Sequence, residues 1–442
     1  MPRTLIRNGL LITADSQNRV YPGNLLIEGG NIAALGAVES SAEQTIDASG
    51  MWILPGFVQT HIHLCQTLFR GLADDLELLD WLRQRIWPLE AAHNEDSLYW
   101  SARLAIAELL KGGTTTILSM ETVRHTERVF QALEESGVRA AAGKCIMDMG
   151  DTPAPLQEKS QKALDESLLL FKRWHGAAQG RIRYAFAPRF ALSCSREVLE
   201  EIGREAAAHQ CLVHTHASEN RKEVELVREM TGCRNVEYFH DLRLTSPRLF
   251  LAHCIWLDDR EISILKETGT RLTHCPSSNL KLASGIADIT RYRRENLALS
   301  LGADGAACNN NLDMFQEMRL AALLQKTLHG PAAIEAKDVF RMATIDGARA
   351  LGLEREIGSL EEGKRADLAV FDPRRVTCWP FHDVYSTLVY SGKIENVRHV
   401  FVDGRLLVRD GSLAQQDEQE ILRKSDEALR ALLPRAEKLG FR

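Results

Sequence analysis

Apolar and polar residues alternate at both ends of the chain, whereas short unbroken apolar runs punctuate its middle. Residues 4–55 read as alternating strands with turns at Asn8-Gly9 and Gly29-Gly30, in LIRNGLLITA, NLLIEGGNIAALG and QTIDASGMWILPG. The same chemistry returns only towards the other end, in IGSLEEGKRADLAVFD and VRHVFVDGRLLVRDG, where Asp403-Gly404 is a hairpin signal. One small β-sandwich module built from residues 1–55 and 356–415 is therefore expected. The stretch 416–442, rich in Glu, Lys, Arg, Leu and Ala, reads as a helix that packs on the main body or on another subunit.

Between the two ends, apolar segments alternate with helical stretches in the βαβ rhythm of parallel strands covered on both faces. The strand candidates are ILPGFVQTHIH, GTTTILSM, RAAAGKCIMDM, RIRYAFAPRF, CLVHTHAS, RLFLAHC, RLTHCP and LALSLGADG. Eight such units predict an α/β fold, a (β/α)8 TIM barrel over residues 56–355, with its chemistry at the carboxyl ends of the strands. A doubly wound sheet fits less well, because no glycine-rich dinucleotide fingerprint follows the first strand.

A chain of 442 residues, 45% of them hydrophobic, can bury a large core. Its net charge of -6 supplies no basic excess for nucleic acid or anionic membranes, so a small-molecule substrate is expected. No apolar run approaches the ~20 residues of a membrane span, and the beginning lacks a signal-peptide pattern, so a cytoplasmic protein is expected. The nine cysteines, scattered from Cys65 to Cys378 without a CxxC pair, indicate neither a disulfide framework nor a zinc ribbon.

The candidate chemistry lies at strand ends. In THIHL, His61 and His63 are two apart, so both imidazoles face one side and can reach one ion. HTHASE repeats the spacing in His214 and His216, with Glu219 three residues further on. Spacing alone leaves open which of that pair binds; His216, nearer the strand end, is preferred, with His214 in a buried hydrogen bond beneath. His253 ends LAHC and Asp304 lies in LGADG. A single buried histidine or aspartate is ordinarily a satisfied core residue. Four strands of one barrel converging with His, His, His and Asp instead describe a metal site with an open position.

These motifs resemble the amidohydrolase superfamily, and within it the mononuclear aminohydrolases of purines, nucleosides and s-triazines. The resemblance runs through PGFVQTHIHL, GGTTT, HTHASE, LAHC, HCPSSNLKLASG, LGADGAACNN and EIGSLEEGKRADLAVFD, nearly the whole chain. It implies His61, His63, His216 and Asp304 as ligands of one zinc ion (iron being the alternative), Glu219 as proton shuttle, and His253 as the group that positions and polarises water. Zinc lowers the pKa of bound water from ~15.7 to near 7, which supplies a nucleophile at neutral pH. Two-metal relatives carry a carbamylated lysine at the end of strand four; here that strand ends in PRF, and arginine is too strongly protonated for that role. Lys144, on strand three, reads as structural. A homodimer is expected, as the commonest closed assembly.

For the substrate, APRFALSCS, GKCIMDMGDT and HIHLCQ are similar to guanine deaminases, with Arg189 and Phe190 holding the purine and Gln66 reading an amide edge. This favours guanine or a guanine-like purine or pterin, unless Arg189 is instead engaged in a salt bridge to a loop carboxylate. GLADDLELLDWLRQRIWPLE and LGADGAACNNNLDMFQEMRLAALLQK are more similar to methylthioadenosine, S-adenosylhomocysteine and 5'-deoxyadenosine deaminases, in which the glutamate at the place of Glu90 holds ribose hydroxyls. An adenosine-type or s-triazine substrate is thus the alternative. A catalytically silent barrel scaffold is the non-enzymatic one.

Overall fold

The computed structural model describes residues 2–150 and 152–441. Its centre is a parallel sheet whose strands follow chain order: Phe57–His63, Thr114–Met120, Arg139–Gly143, Ile182–Pro188, Leu212–Ala217, Leu249–His253, Arg271–His274 and Ala298–Leu301. Strand three continues past Lys144 as Cys145–Ile146, and strand eight continues past Ala303 as Asp304–Gly305. Because Asp304–Gly305 pairs in parallel with Ile62 and His63 of strand one, the ring closes into the expected barrel of eight parallel strands. Gly302 makes that closure possible, since a Cβ there would stand 2.6 Å from the carbonyl oxygen of His61.

Strands one and two are buried along their whole length, as parallel strands covered on both faces must be. The barrel interior is not wholly apolar. Thr60 Oγ1 lies 2.9 Å from Thr273 Oγ1 and 2.6 Å from Ser300 Oγ, joining strands one, seven and eight in a hydrogen-bonded layer beneath the upper rim.

The two chain ends meet in a second sheet. Trp52–Pro55 pairs antiparallel with Leu368–Phe371, and from that seam the sheet extends on one side through the N-terminal strands and on the other through Val397–Val402, Arg405–Arg409 and Ser412–Leu413. Trp52 stacks on Phe371 across the seam, with ring centroids 5.5 Å apart. Arg139, the first residue of barrel strand three, locks this sheet to the barrel: it donates to Asp367 at 2.7 and 3.1 Å and to Asp403 at 2.6 Å, all three groups being buried. Removing one partner from such a cluster strands an opposite charge and costs about 3–5 kcal/mol.

The tail forms a helix, Glu418–Lys438, whose buried stripe of Ile421, Ser425, Ala428, Leu432 and Ala436 follows helical spacing. It packs on the helix Glu95–Lys111, fastened by Lys111 to Glu418 at 2.6 Å, and Arg435 donates to the carbonyl of Ala92 at 2.8 Å. The nine cysteines are free, and all but Cys233 are buried. Lys144, at the break in strand three, donates to Val123 O at 2.7 Å and to Glu158 at 2.5 Å, a structural tie as its position on the strand suggested. Among the described residues no helix is long and apolar enough to cross a membrane.

Candidate active site

Strands one, five, six and eight bring His61, His63, His216, His253 and Asp304 to the carboxyl rim of the barrel, with Glu219 just past strand five. Two groupings have donor atoms within 4.8 Å of one another, His61 with His63 and Asp304, and His61 with His216 and His253. Asp304 Oδ1 lies 3.3 Å from His61 Nε2 and 3.2 Å from His63 Nε2, and His63 Nε2 lies 3.3 Å from His216 Nε2.

The outer nitrogens fix the direction of these rings. His63 Nδ1 donates to the carbonyl of Met120 at 2.8 Å and His216 Nδ1 to that of Arg189 at 2.6 Å, which leaves both Nε2 atoms bare and facing each other. His61 Nδ1 is 2.6 Å from His214 Nε2, so His214 lies in the buried bond beneath the site, while His61 Nε2 is buried with no hydrogen-bond partner. Lone pairs turned on each other at 3.3 Å repel unless a cation lies between them. Three imidazoles and one carboxylate therefore fit zinc, with room for a further ligand. The surroundings favour neutral His61 and His216: burial lowers His61 to about 4, and burial with the neighbouring histidines holds His216 well below its ordinary range, whereas at His63 the Asp304 carboxylate outweighs burial and raises the imidazole.

The rim backbone is unusual. Ser218, His253 and Asp304 adopt φ of 51, 70 and 62°, a left-handed conformation that costs a non-glycine residue of order 1–3 kcal/mol. The cost is borne where strands must turn sharply to present their side chains. Glu219 Oε2 approaches His253 Nε2 at 3.4 Å, and His253 Nδ1 is 2.8 Å from Asn279 Oδ1. Burial raises the Glu219 carboxyl to about 7, although His253 opposes the shift, so its proton is exchangeable near neutrality.

These groups form the polar part of a cavity whose apolar lining is Leu78, Trp81, Leu82, Phe190 and Leu282. Gln66 and Arg189 also line it, but Arg189 does not present a free fork: its Nη1 and Nη2 bind Glu90 at 2.6 and 3.2 Å, and Gln66 donates to the same carboxylate at 2.9 Å. Glu90 lies behind Arg189, outside the set of residues that line the cavity. The expectation that Arg189 reads a ring carbonyl with paired donors is thereby revised: those donors are engaged by a carboxylate far away in sequence. Leu78, Trp81, Leu82 and Glu223 were not singled out in the sequence. The first three follow the i, i+3, i+4 spacing of a helix face, and only their place just after the first metal-motif strand sets them apart from core.

A barrel with three imidazoles and a carboxylate converging at its strand ends, and a buried glutamate beside them, defines a metal-dependent hydrolase. Residues 52–407 match the amidohydrolase family. The chain is 42% identical to a 5'-deoxyadenosine deaminase of Methanothermobacter thermautotrophicus, covering 92% of this chain and 94% of that one. It is 40% identical to a 5-methylthioadenosine/S-adenosylhomocysteine deaminase of Symbiobacterium thermophilum, covering 98% and 100%. Among solved structures, an adenosine deaminase of Xanthomonas campestris with bound zinc superposes with a TM-score of 0.91 at 31% identity, covering 97% and 98%. The chain belongs to the amidohydrolase family, and it is a hydrolase of C–N bonds.

Proposed function

We propose that this protein hydrolytically deaminates an adenosine-type nucleoside with an apolar 5' end, such as 5'-deoxyadenosine or 5'-methylthioadenosine, and releases ammonia. The observation that carries the reading is its likeness, at 42% and 40% identity over nearly all of both chains, to deaminases named for 5'-deoxyadenosine and for 5-methylthioadenosine and S-adenosylhomocysteine. This replaces the guanine preference drawn from Arg189 with the alternative drawn from the segments after the first and eighth strands. The site is compatible: Arg189 is neutralised by Glu90, and the cavity lining offers Leu78, Trp81, Leu82 and Leu282 to an apolar substituent.

In this reading His61, His63, His216 and Asp304 hold one zinc ion, which supplies Lewis acidity that makes water nucleophilic near neutral pH. Glu219 takes a proton from the attacking water and gives it to the ring nitrogen next to the amino-bearing carbon. That carbon becomes tetrahedral; Glu219 then takes the remaining proton from its new hydroxyl and gives it to the amino group, the C–N bond breaks, and ammonia leaves a ring carbonyl behind. His253, held by Asn279, fixes the direction of attack and stabilises charge at the reacting carbon. Phe190, held extended beside His216, offers its ring as one wall for the base.

The test is an ammonia-release assay on the zinc-loaded enzyme with 5'-deoxyadenosine, 5'-methylthioadenosine, adenosine, S-adenosylhomocysteine, guanine and a chlorinated s-triazine, the last scored by chloride release. The highest kcat/KM is expected for the two nucleosides with apolar 5' ends. Preferred turnover of guanine or the triazine would overturn the substrate, and no turnover of any of them would favour the silent scaffold.

A further inference from the structure

A second carboxyl group lines the cavity beside Glu219 and takes no part in the chemistry above. Glu223 is on the first turn of the helix Arg221–Thr231 and is 1% exposed. Its Oε2 accepts the main-chain N–H of Glu219 at 3.0 Å, and Asn235 Nδ2 donates to its Oε1. Part of this is ordinary capping: Asn220, the N-cap, accepts from Lys222 N, and Glu223, three residues on, also takes the main-chain N–H of Asn220. Glu223 reaches further, however, to Glu219, a residue outside the helix.

What it reaches is one side of a strained turn. Ser218 has φ of 51°, and its carbonyl accepts two N–H groups, from Ile255 at 2.9 Å and Trp256 at 3.0 Å, beyond the end of strand six. The carbonyl preceding Glu219 is thus clamped by strand six, and its amide by Glu223. Asn235, itself 0% exposed, anchors that clamp from the following helix. With both ends of the peptide unit held, the Glu219 side chain leaves the backbone in a fixed direction, towards His253.

We propose that Glu223 is a positioning residue for the deamination: by holding the main-chain amide of Glu219, it keeps the Glu219 carboxyl group in register with His253 and the substrate ring. The proposal rests on Glu219 being the proton shuttle. Glu223 touches neither the predicted metal ligands nor the reacting atoms in this scheme, so its removal should slow the proton-transfer step and leave metal and substrate binding in place. A shuttle displaced by a fraction of an ångström to an ångström loses on the order of 10–100-fold in rate.

The test uses the full-length zinc-loaded enzyme and the nucleoside it turns over fastest. Glu223→Ala should lower kcat on the order of 10–100-fold, with KM and zinc content within about twofold of wild type. Glu223→Gln keeps an acceptor oxygen for the Glu219 amide, and its NH2 can donate to Asn235 Oδ1 once the Asn235 amide flips, so it should stay within about fivefold of wild type. In the Glu219→Gln background, Glu223→Ala should add almost nothing, because it acts through a group already disabled. Should Glu223→Ala fail to fold, Asn235→Ala, which frees one end of the clamp, should give a smaller fall in kcat at unchanged KM. The proposal is overturned if kcat of Glu223→Ala matches wild type, if zinc is lost with activity, or if the Glu223 and Glu219 losses multiply. Glu219→Gln with wild-type turnover would instead remove the shuttle reading itself, so the two failures are distinct.

Discussion

Arg189, on the cavity wall, and Glu90 behind it form a buried two-point ion pair, with Nη1–Oε2 at 2.6 Å and Nη2–Oε1 at 3.2 Å. Burial alone would raise the Glu90 carboxyl, yet Arg189 and the Gln66 amide hold it below its ordinary value. Arg189→Met leaves that carboxylate without its counter-ion and should cost about 3–5 kcal/mol. Thermal melts should show the double variant Arg189→Met/Glu90→Gln to be more stable than Arg189→Met. Simple addition of the two single losses would mean that the pair is not a unit.

Glu219→Gln keeps size and shape but removes the base. With zinc content unchanged, kcat for 5'-deoxyadenosine should fall by at least about 100-fold, the low end of what a positioned general acid–base contributes. Metal analysis beside steady-state kinetics separates this from loss of the ion. Turnover near wild type would assign proton transfer to another group.

Removing the ion should affect stability as well as rate. Without it, the bare nitrogens of His63 and His216 face each other at 3.3 Å and Asp304 lacks its counter-charge. A chelator should lower Tm and abolish turnover, and added zinc should restore both, because a ligand bound only by the folded state stabilises it by mass action. A Tm that does not change on chelation would argue against a built metal site.

Glu317 gives a pH dependence of known sign. It accepts from Ser277 Oγ at 2.5 Å and Asn309 Nδ2 at 2.9 Å, and burial raises it from 4.5 to about 7. Between these values the folded state keeps a proton that the unfolded chain has lost. Its contribution to stability is therefore full below about 4.5 and declines as pH rises through about 7. The Tm of Glu317→Gln relative to wild type should rise between about pH 5 and pH 8. A difference that stays constant over that range would show that Glu317 ionises normally in the folded protein.

The barrel and the converging donors were legible because strand rhythm and histidine spacing are local. His61 and His63 advertise themselves by standing two apart at the end of an apolar run, and Asp304 by its glycine-flanked strand end. The binding chemistry was not legible, because it depends on partners that local pattern does not bring together. Arg189 looks like a reader of ring carbonyls until Glu90, 99 residues away, is seen to occupy it. Trp81 and its leucine neighbours have the spacing of any buried helix face, and nothing local distinguishes a cavity wall from core. Glu223 reads as one more acidic residue on a charged helix until the turn it holds is seen. Which histidine of HTH faces the other donors was likewise a question of which ring the neighbouring carbonyl of Arg189 could hold.

The seam between Trp52–Pro55 and Leu368–Phe371 has a consequence for how the molecule is made. The N-terminal strands find partners among themselves within residues 4–55, but Trp52–Pro55 leaves the ribosome with the partner for its other edge, Leu368–Phe371, still unsynthesised, and the whole barrel must emerge before the sheet can close. Until then Trp52–Pro55 is an open, apolar strand edge able to pair with another nascent chain. Slow, late closure of this kind makes expression yield depend on chaperone supply and growth temperature, even where the finished enzyme is robust.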